Sequence, residues 1–176
     1  AGLEVRTLFA NTEKKARKYW VMRRESFNLL RQRVKGKRTA PFVDDLIVEP
    51  KVMGEFLPKL YEVLDRYKLL YTVAGHVGNG NFHIIPLMEL KTEEERDRIF
   101  KSMDEIFKLV LEYGGSISGE HNDGIIRSPY LKMMYGDKVY KIFAEIKKIF
   151  DPKNIFNPGK KIGASIEYAK KHIKID

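Results

Sequence analysis

Apolar residues recur along this chain at two different spacings, and the switch between them divides it into helices and strands. From Thr12 to about Arg33, Ala16, Tyr19, Trp20, Phe27 and Leu30 fall on a helical stripe with polar residues between them. The turn-prone KGKRTAP follows, then a short strand-like run from Val43 to Val48. Glu49-Pro50 opens a second helix carrying Val52, Met53, Phe56, Leu57, Leu60, Val63 and Leu64 on one stripe, with Pro58 placed to split or kink it. Two β-rich runs, Leu69 to His76 and Asn81 to Met88, flank Val-Gly-Asn-Gly and read as a hairpin.

Thr92 and Glu95 form a capping box ahead of the cleanest amphipathic pattern, with Ile99, Phe100, Met103, Ile106, Phe107, Val110 and Leu111 on one face. That helix stops at Gly114-Gly115. A short strand, Ser116 to Ser118, leads into the polar loop GEHNDGIIRSP, and a last helix from about Asp137 to Phe150 precedes DPKNIFNPGKK. A first strand at Val5 to Phe9 is weak. The order strand, helix, strand, strand, helix, strand predicts an α+β fold: an antiparallel or mixed sheet with helices packed on one face, ferredoxin-like.

Length narrows this picture, since 176 residues with 43% hydrophobic content suffice for one core and a single domain is expected over 1–176. The start AGLEVRTLF has neither an initiator Met nor the basic and apolar regions of a signal peptide, which suits a processed piece. Cysteine is absent, so disulfides, thiolate zinc sites and thiol catalysis are excluded, and any metal must use His and carboxylate. The net charge of +9 favours an anionic partner without choosing one. Its lysines and arginines are scattered, as in KKARK at 14–18, which reads as solvated helix faces rather than a nucleic-acid surface, and no nucleic acid is expected.

The chemistry concentrates in two Gly-rich segments that hold His76, His83 and His121, whereas His172 near the end reads as a surface residue. With a two-residue Asn79-Gly80 turn of type I′, His76 would sit directly opposite His83 on one sheet face, their Cβ atoms ~5 Å apart. Two imidazoles so placed can share a cation, and Glu120 in the second polar loop offers a carboxylate. A surface or core His pair and a plain connecting turn are the alternatives.

GHVGNGNFH at 75–83, SGEHNDG at 118–124 and DPKNIFNPGKK at 151–161, in this order, resemble the carboxy-terminal domain of the FAD-linked oxidases. That family includes glycolate oxidase, D-lactate dehydrogenase and D-2-hydroxyglutarate dehydrogenase. YWVMRRES at 19–26 and VDDLIVEP at 43–50 fit the same family. The resemblance implies that this region caps a flavin bound elsewhere, in the same or a partner chain, and holds a small 2-hydroxy acid. It implies His76, His83 and Glu120 as ligands of a divalent metal (zinc, manganese or iron), His121 as the base for the hydroxyl proton, Arg23 as a substrate-carboxylate clamp and Asn157 near the FAD.

Asn79 and Asn122 depart from the family's usual Asp and Gly. Val43 and Phe27 stand at positions that are polar in some 2-hydroxyglutarate enzymes, which favours a lactate- or glycolate-like acid. A cytoplasmic location, peripheral at the inner membrane face, and an electron-transfer partner complete the expectations. The alternatives are a basic module binding nucleic acid or a protein, and a metal-free flavoprotein cap.

Overall fold

The structure, a computed structural model, describes residues 8–34 and 36–175, with backbone only at Phe27, Leu30, Arg31 and Arg33. It divides into two compact units, Ala1–Lys37 and Arg38–Asp176. The first unit is built on helix α1, Glu13–Arg33. Trp20 and Met22 on this helix are 63% and 65% exposed, and Phe27 and Leu30, which belong to the expected stripe, have side chains outside the described residues. The strand expected at Val5 to Phe9 also lies largely outside them, and Leu8 and Phe9 form no regular element.

The second unit is the α+β layer. Its elements are β1 (Arg38–Thr39), β2 (Asp44–Ile47), α2 (Met53–Arg66), β3 (Leu70–His76), β4 (Asn81–Met88), α3 (Glu93–Glu112), α4 (Gly124–Arg127), α5 (Leu131–Phe150) and α6 (Ile166–Lys171). The other three strands all run antiparallel to β4, which pairs β3 along one edge and β1 and β2 along the other. The strand expected at Ser116 to Ser118 is reduced to a single bridge, Ile47 with Ser116, on the free edge of β2. With that bridge, the order across the sheet is the ferredoxin-like one. The two-residue β1 lies in a segment that reads as a turn.

The period of two along β4 sorts its side chains onto two faces. Phe82, Ile84 and Met88 enter the core with Phe56, Leu60 and Leu64 of α2 and Ile99, Met103, Ile106, Phe107 and Val110 of α3. His83 therefore points to the face that these two helices leave free. The capping box forms as expected, with Thr92 Oγ1 accepting from the Glu95 amide at 3.2 Å. A 3₁₀ turn at Pro50–Val52 precedes α2, which runs unbroken through Pro58. The helix is not split there, and the carbonyl that loses its partner, that of Gly54, lies with Pro58 on the exposed side, where water can satisfy it.

Helix α5 departs most from a core element. It is interrupted at Gly136, whose φ is 75°, so its regular part begins where the sequence pattern starts it. Leu131 is its one buried residue, while Ile142, Ile149 and Phe150 are 52%, 72% and 82% exposed. Among the described residues no helix is long and apolar enough to cross a membrane.

Candidate metal and substrate site

The hairpin turn is longer than the two residues expected. Val77–Asn79 form a 3₁₀ turn and Gly80 closes it in the left-handed region, its amide donating to the Val77 carbonyl at 3.0 Å. His76 consequently pairs with Asn81 and Ala74 with His83, which corrects the direct opposition of the two histidines. The reason is steric as well as conformational. A Cβ on Gly80 would stand 1.8 Å from the Val48 carbonyl oxygen, so the turn is pressed against the backbone just after β2. Because the register differs by two residues and the side-chain period is two, both imidazoles still emerge on one face, now as diagonal neighbours. Their ring centroids are 5.5 Å apart at an interplanar angle of 89°.

A β-bulge in β2 brings the second loop onto this face. The ladder shifts between Asp44 and Leu46, and Asp45 is the extra residue, with a φ of 74°. Its fully buried carboxylate accepts the backbone amides of Gly119 (2.8 Å), Glu120 (2.9 Å) and His121 (2.8 Å), and the side-chain amide of Asn81 (3.0 Å). Burial pushes this carboxyl up, but the three backbone donors and Asn81 outweigh it and hold it below the usual carboxylate range. Gly119 fits this embrace because a Cβ there would come 2.8 Å from Asp45 Oδ1 and 2.6 Å from Ile47 Cδ1.

So held, the loop delivers Glu120 between the histidines. Glu120 Oε1 lies 3.2 Å from His76 Nε2, 3.0 Å from His83 Nε2 and 3.5 Å from His121 Nε2. Asp44 stands behind, with Oδ1 2.8 Å from His83 Nδ1 and Oδ2 3.0 Å from His121 Nδ1. The rings of His83 and His121 stack 4.8 Å apart at 9°. Buried Arg127 donates to the backbone carbonyls of Asp44 and Asn122, and Lys161 reaches Asn122 Oδ1 (2.7 Å) and Asp123 Oδ2 (2.8 Å), joining the NPGKK motif to the SGEHNDG loop.

The donor set suits a divalent cation. Two imidazole nitrogens and one carboxylate oxygen around a zinc-sized ion stand ~3.3 Å from one another in tetrahedral geometry. The Glu120 to imidazole separations of 3.0 and 3.2 Å need to change by only tenths of an ångström. His83 is mostly covered, whereas His76 and Glu120 are about half exposed, which leaves an approach open to a further ligand. Among the described residues, His76, His83 and Glu120 form one group able to hold a metal, and Asp44, His83 and His121 form an overlapping one.

The structure thus brings four of the six expected site residues together. Arg23 stands on α1 in the first unit, exposed, its guanidinium 5.8 Å over the Trp20 ring. Asn157, with a φ of 47°, closes a turn with the Lys160 amide and lines a cleft of about 420 Å³ with Tyr135, Phe143, Ile146 and Phe156. Val43 is sealed in the core, so it does not line a substrate pocket. Sequence reasoning passed over Asp44, Asp45 and Arg127. Two acids inside an otherwise apolar strand were the available signal, since Asp is disfavoured there without a partner.

A ferredoxin-like layer that gathers three histidines and a carboxylate on the face turned away from α2 and α3 defines an α+β domain with a candidate metal site. Residues 1–161 match the family described as FAD linked oxidases, C-terminal domain, and the chain belongs to that family. It is similar to D-2-hydroxyglutarate dehydrogenase of Pseudomonas putida (35% identical over 155 residues, 88% of this chain and 15% of that protein). D-2-hydroxyglutarate dehydrogenase of Haemophilus influenzae is 33% identical over 80% of this chain and 14% of its own length. Glycolate oxidase subunit GlcD of Bacillus subtilis is 28% identical over 86% of this chain. The chain spans 31% of that last protein and less of the other two.

Proposed function

We propose that this chain supplies the substrate and metal site of a flavin-dependent dehydrogenase that oxidises a D-2-hydroxy acid to the 2-oxo acid. The reading is carried by the convergence of three imidazole Nε2 atoms within 3.5 Å of one Glu120 oxygen. His76, His83 and Glu120 would hold a zinc, manganese or ferrous ion. That ion would supply Lewis-acid polarisation of the hydroxyl, and a flavin on the remaining part of the enzyme would take up the two electrons.

The chain's own residues then have three tasks. His121 Nε2, next to the ligand corner yet outside the ligand set, accepts the hydroxyl proton. Asp45 and Gly119 keep the loop carrying His121 against the sheet, so the base and the ligands share one rigid support. Arg23 is assigned to the substrate carboxylate on its place in the WVMRR motif, and Asn157 to the flavin side on its place in NPGK. A lactate- or glycolate-like acid is preferred, because Phe27, directly after YWVMRRES, stands at a position that is polar in some 2-hydroxyglutarate enzymes; the sealed position of Val43 takes away the other support for that preference.

Two measurements test the reading. Apo chain titrated with zinc or manganese should take up one equivalent, and Glu120→Gln or His83→Ala should bind neither tightly. In the flavin-bearing enzyme, His121→Ala should slow flavin reduction by D-lactate at least a hundredfold with metal content unchanged, as befits a lost general base. Flavin reduction at the unmutated rate would remove His121 from that role. Protein that is active yet free of metal would favour a metal-free flavoprotein cap instead.

A further inference from the structure

Asp44 enters none of the motif assignments, yet it touches both a proposed metal ligand and the proposed base. Its two oxygens are divided, Oδ1 to His83 Nδ1 at 2.8 Å and Oδ2 to His121 Nδ1 at 3.0 Å. An ionised carboxylate only accepts hydrogen bonds, so each Nδ1 facing it must carry a hydrogen. In a neutral imidazole that choice leaves the lone pair on Nε2. Both Nε2 atoms then turn to the same place, 3.0 and 3.5 Å from Glu120 Oε1. The near-parallel stacking of the two rings, 9° apart, is the geometric record of this shared clamp.

The clamp is built rather than incidental. Asp44 pairs with His83 in the ladder, which sets the Cα spacing, and the bulge at Asp45 ends that pairing one residue later. Arg127, itself buried, fixes the Asp44 backbone carbonyl from the other side. Asp44 and His83 side chains are only 18% and 12% exposed, so water competes poorly for the bonds between them.

We propose that Asp44 is a positioning residue that sets the tautomers of His83 and His121 together, so that a ligand nitrogen and a base nitrogen are presented side by side. The inference rests on the metal and base reading above and adds that one carboxylate serves both functions. It distinguishes Asp44 from a ligand. A ligand would have to give up its bonds to the two Nδ1 atoms, whereas an orienting group keeps them when the metal binds.

Long-range ¹H–¹⁵N correlation spectra of the apo chain at mildly alkaline pH read the tautomer of each of the four histidines. His83 and His121 are expected in the Nδ1–H form. In Asp44→Ala at least one of them should change to mainly Nε2–H, while His172, whose Nδ1 is held 2.7 Å from the Tyr168 carbonyl, stays as it was. Asp44→Asn, which preserves shape but offers only one acceptor, should keep one of the two. Zinc affinity should fall roughly ten- to hundredfold in Asp44→Ala.

Unchanged tautomers at both positions in Asp44→Ala would overturn the proposal. So would complete loss of zinc binding with tautomers intact, which would make Asp44 a ligand. A wild-type chain that shows the expected tautomers but takes up no zinc would instead sink the metal reading and leave the role of Asp44 standing.

Discussion

Asp45 illustrates how much a single side chain can organise. It occupies a backbone conformation that disfavours a side chain, at the one irregular point of β2, and offsets that cost by accepting three consecutive amides of the 119–121 segment. Replacing it with Ala removes these charge-assisted hydrogen bonds, and the expected loss is about 2 to 3 kcal/mol. Urea unfolding of Asp45→Ala should register that drop. A change below about 0.5 kcal/mol, the size of an ordinary surface substitution, would mean that the 118–124 loop does not depend on it. His76, His83, Glu120 and His121 could be picked out of the sequence because each lies in a Gly-rich polar segment where its residue type is not required by the fold. Asp44 and Asp45 were marked only as two acids inside an apolar strand, and their roles could not be read, because every partner they have is 36 or more residues away and nothing local announces a bulge.

Among the elements, the hairpin shows the limit of turn chemistry as evidence. Asn79-Gly80 suits a two-residue turn, but contact between Gly80 and Val48, residues 32 apart in sequence, selects the longer loop instead. Gly80→Ala meets both a positive φ and a Cβ 1.8 Å from backbone oxygen. It should destabilise the chain by more than about 2 kcal/mol in the same urea assay. The helices α2 and α3 were legible almost to their ends, since each buries a full stripe against β4. A strand at Ser116 to Ser118 was expected too, but its reduction to a single bridge was not legible, because three residues carry no periodic pattern from which a pairing length could be read.

The turn after α5 carries its own prediction. The Lys147 ammonium beside Asp151 holds that carboxyl below its usual range; burial works against it, and the amides of Ile155 and Phe156 assist. A lowered value means that the unfolded chain takes up the proton more readily. The stabilisation is therefore complete above the free carboxylate value of about 3.9 and disappears as pH falls through the lower, folded one. The melting temperature of Asp151→Asn should accordingly lie below that of wild type at pH 6, with the gap closing below about pH 4. A gap independent of pH would show that the charge is not what stabilises the turn.

Across the whole molecule, burial is uneven. The α+β layer of α2, α3 and the sheet was foreseeable from composition and periodicity, and the closed core bears that out. The division at Lys37 was not, since a continuous helix at 13–33 followed by a turn reads equally well as part of one domain. Helix α5 has a clear amphipathic pattern, yet pattern alone does not say whether an apolar face will be covered, and here Ile142, Ile146, Ile149 and Phe150 stay open to solvent.

That open face makes the chain a molecule of two endurances. A helix is held mainly by what its apolar side rests on, and α5 rests on little, so its amides should be released to deuterium through local fraying while those of α3 wait for global unfolding. Exchange measured residue by residue would place the two helices in separate cooperative units. Equal protection in both would mean that a single event melts them together.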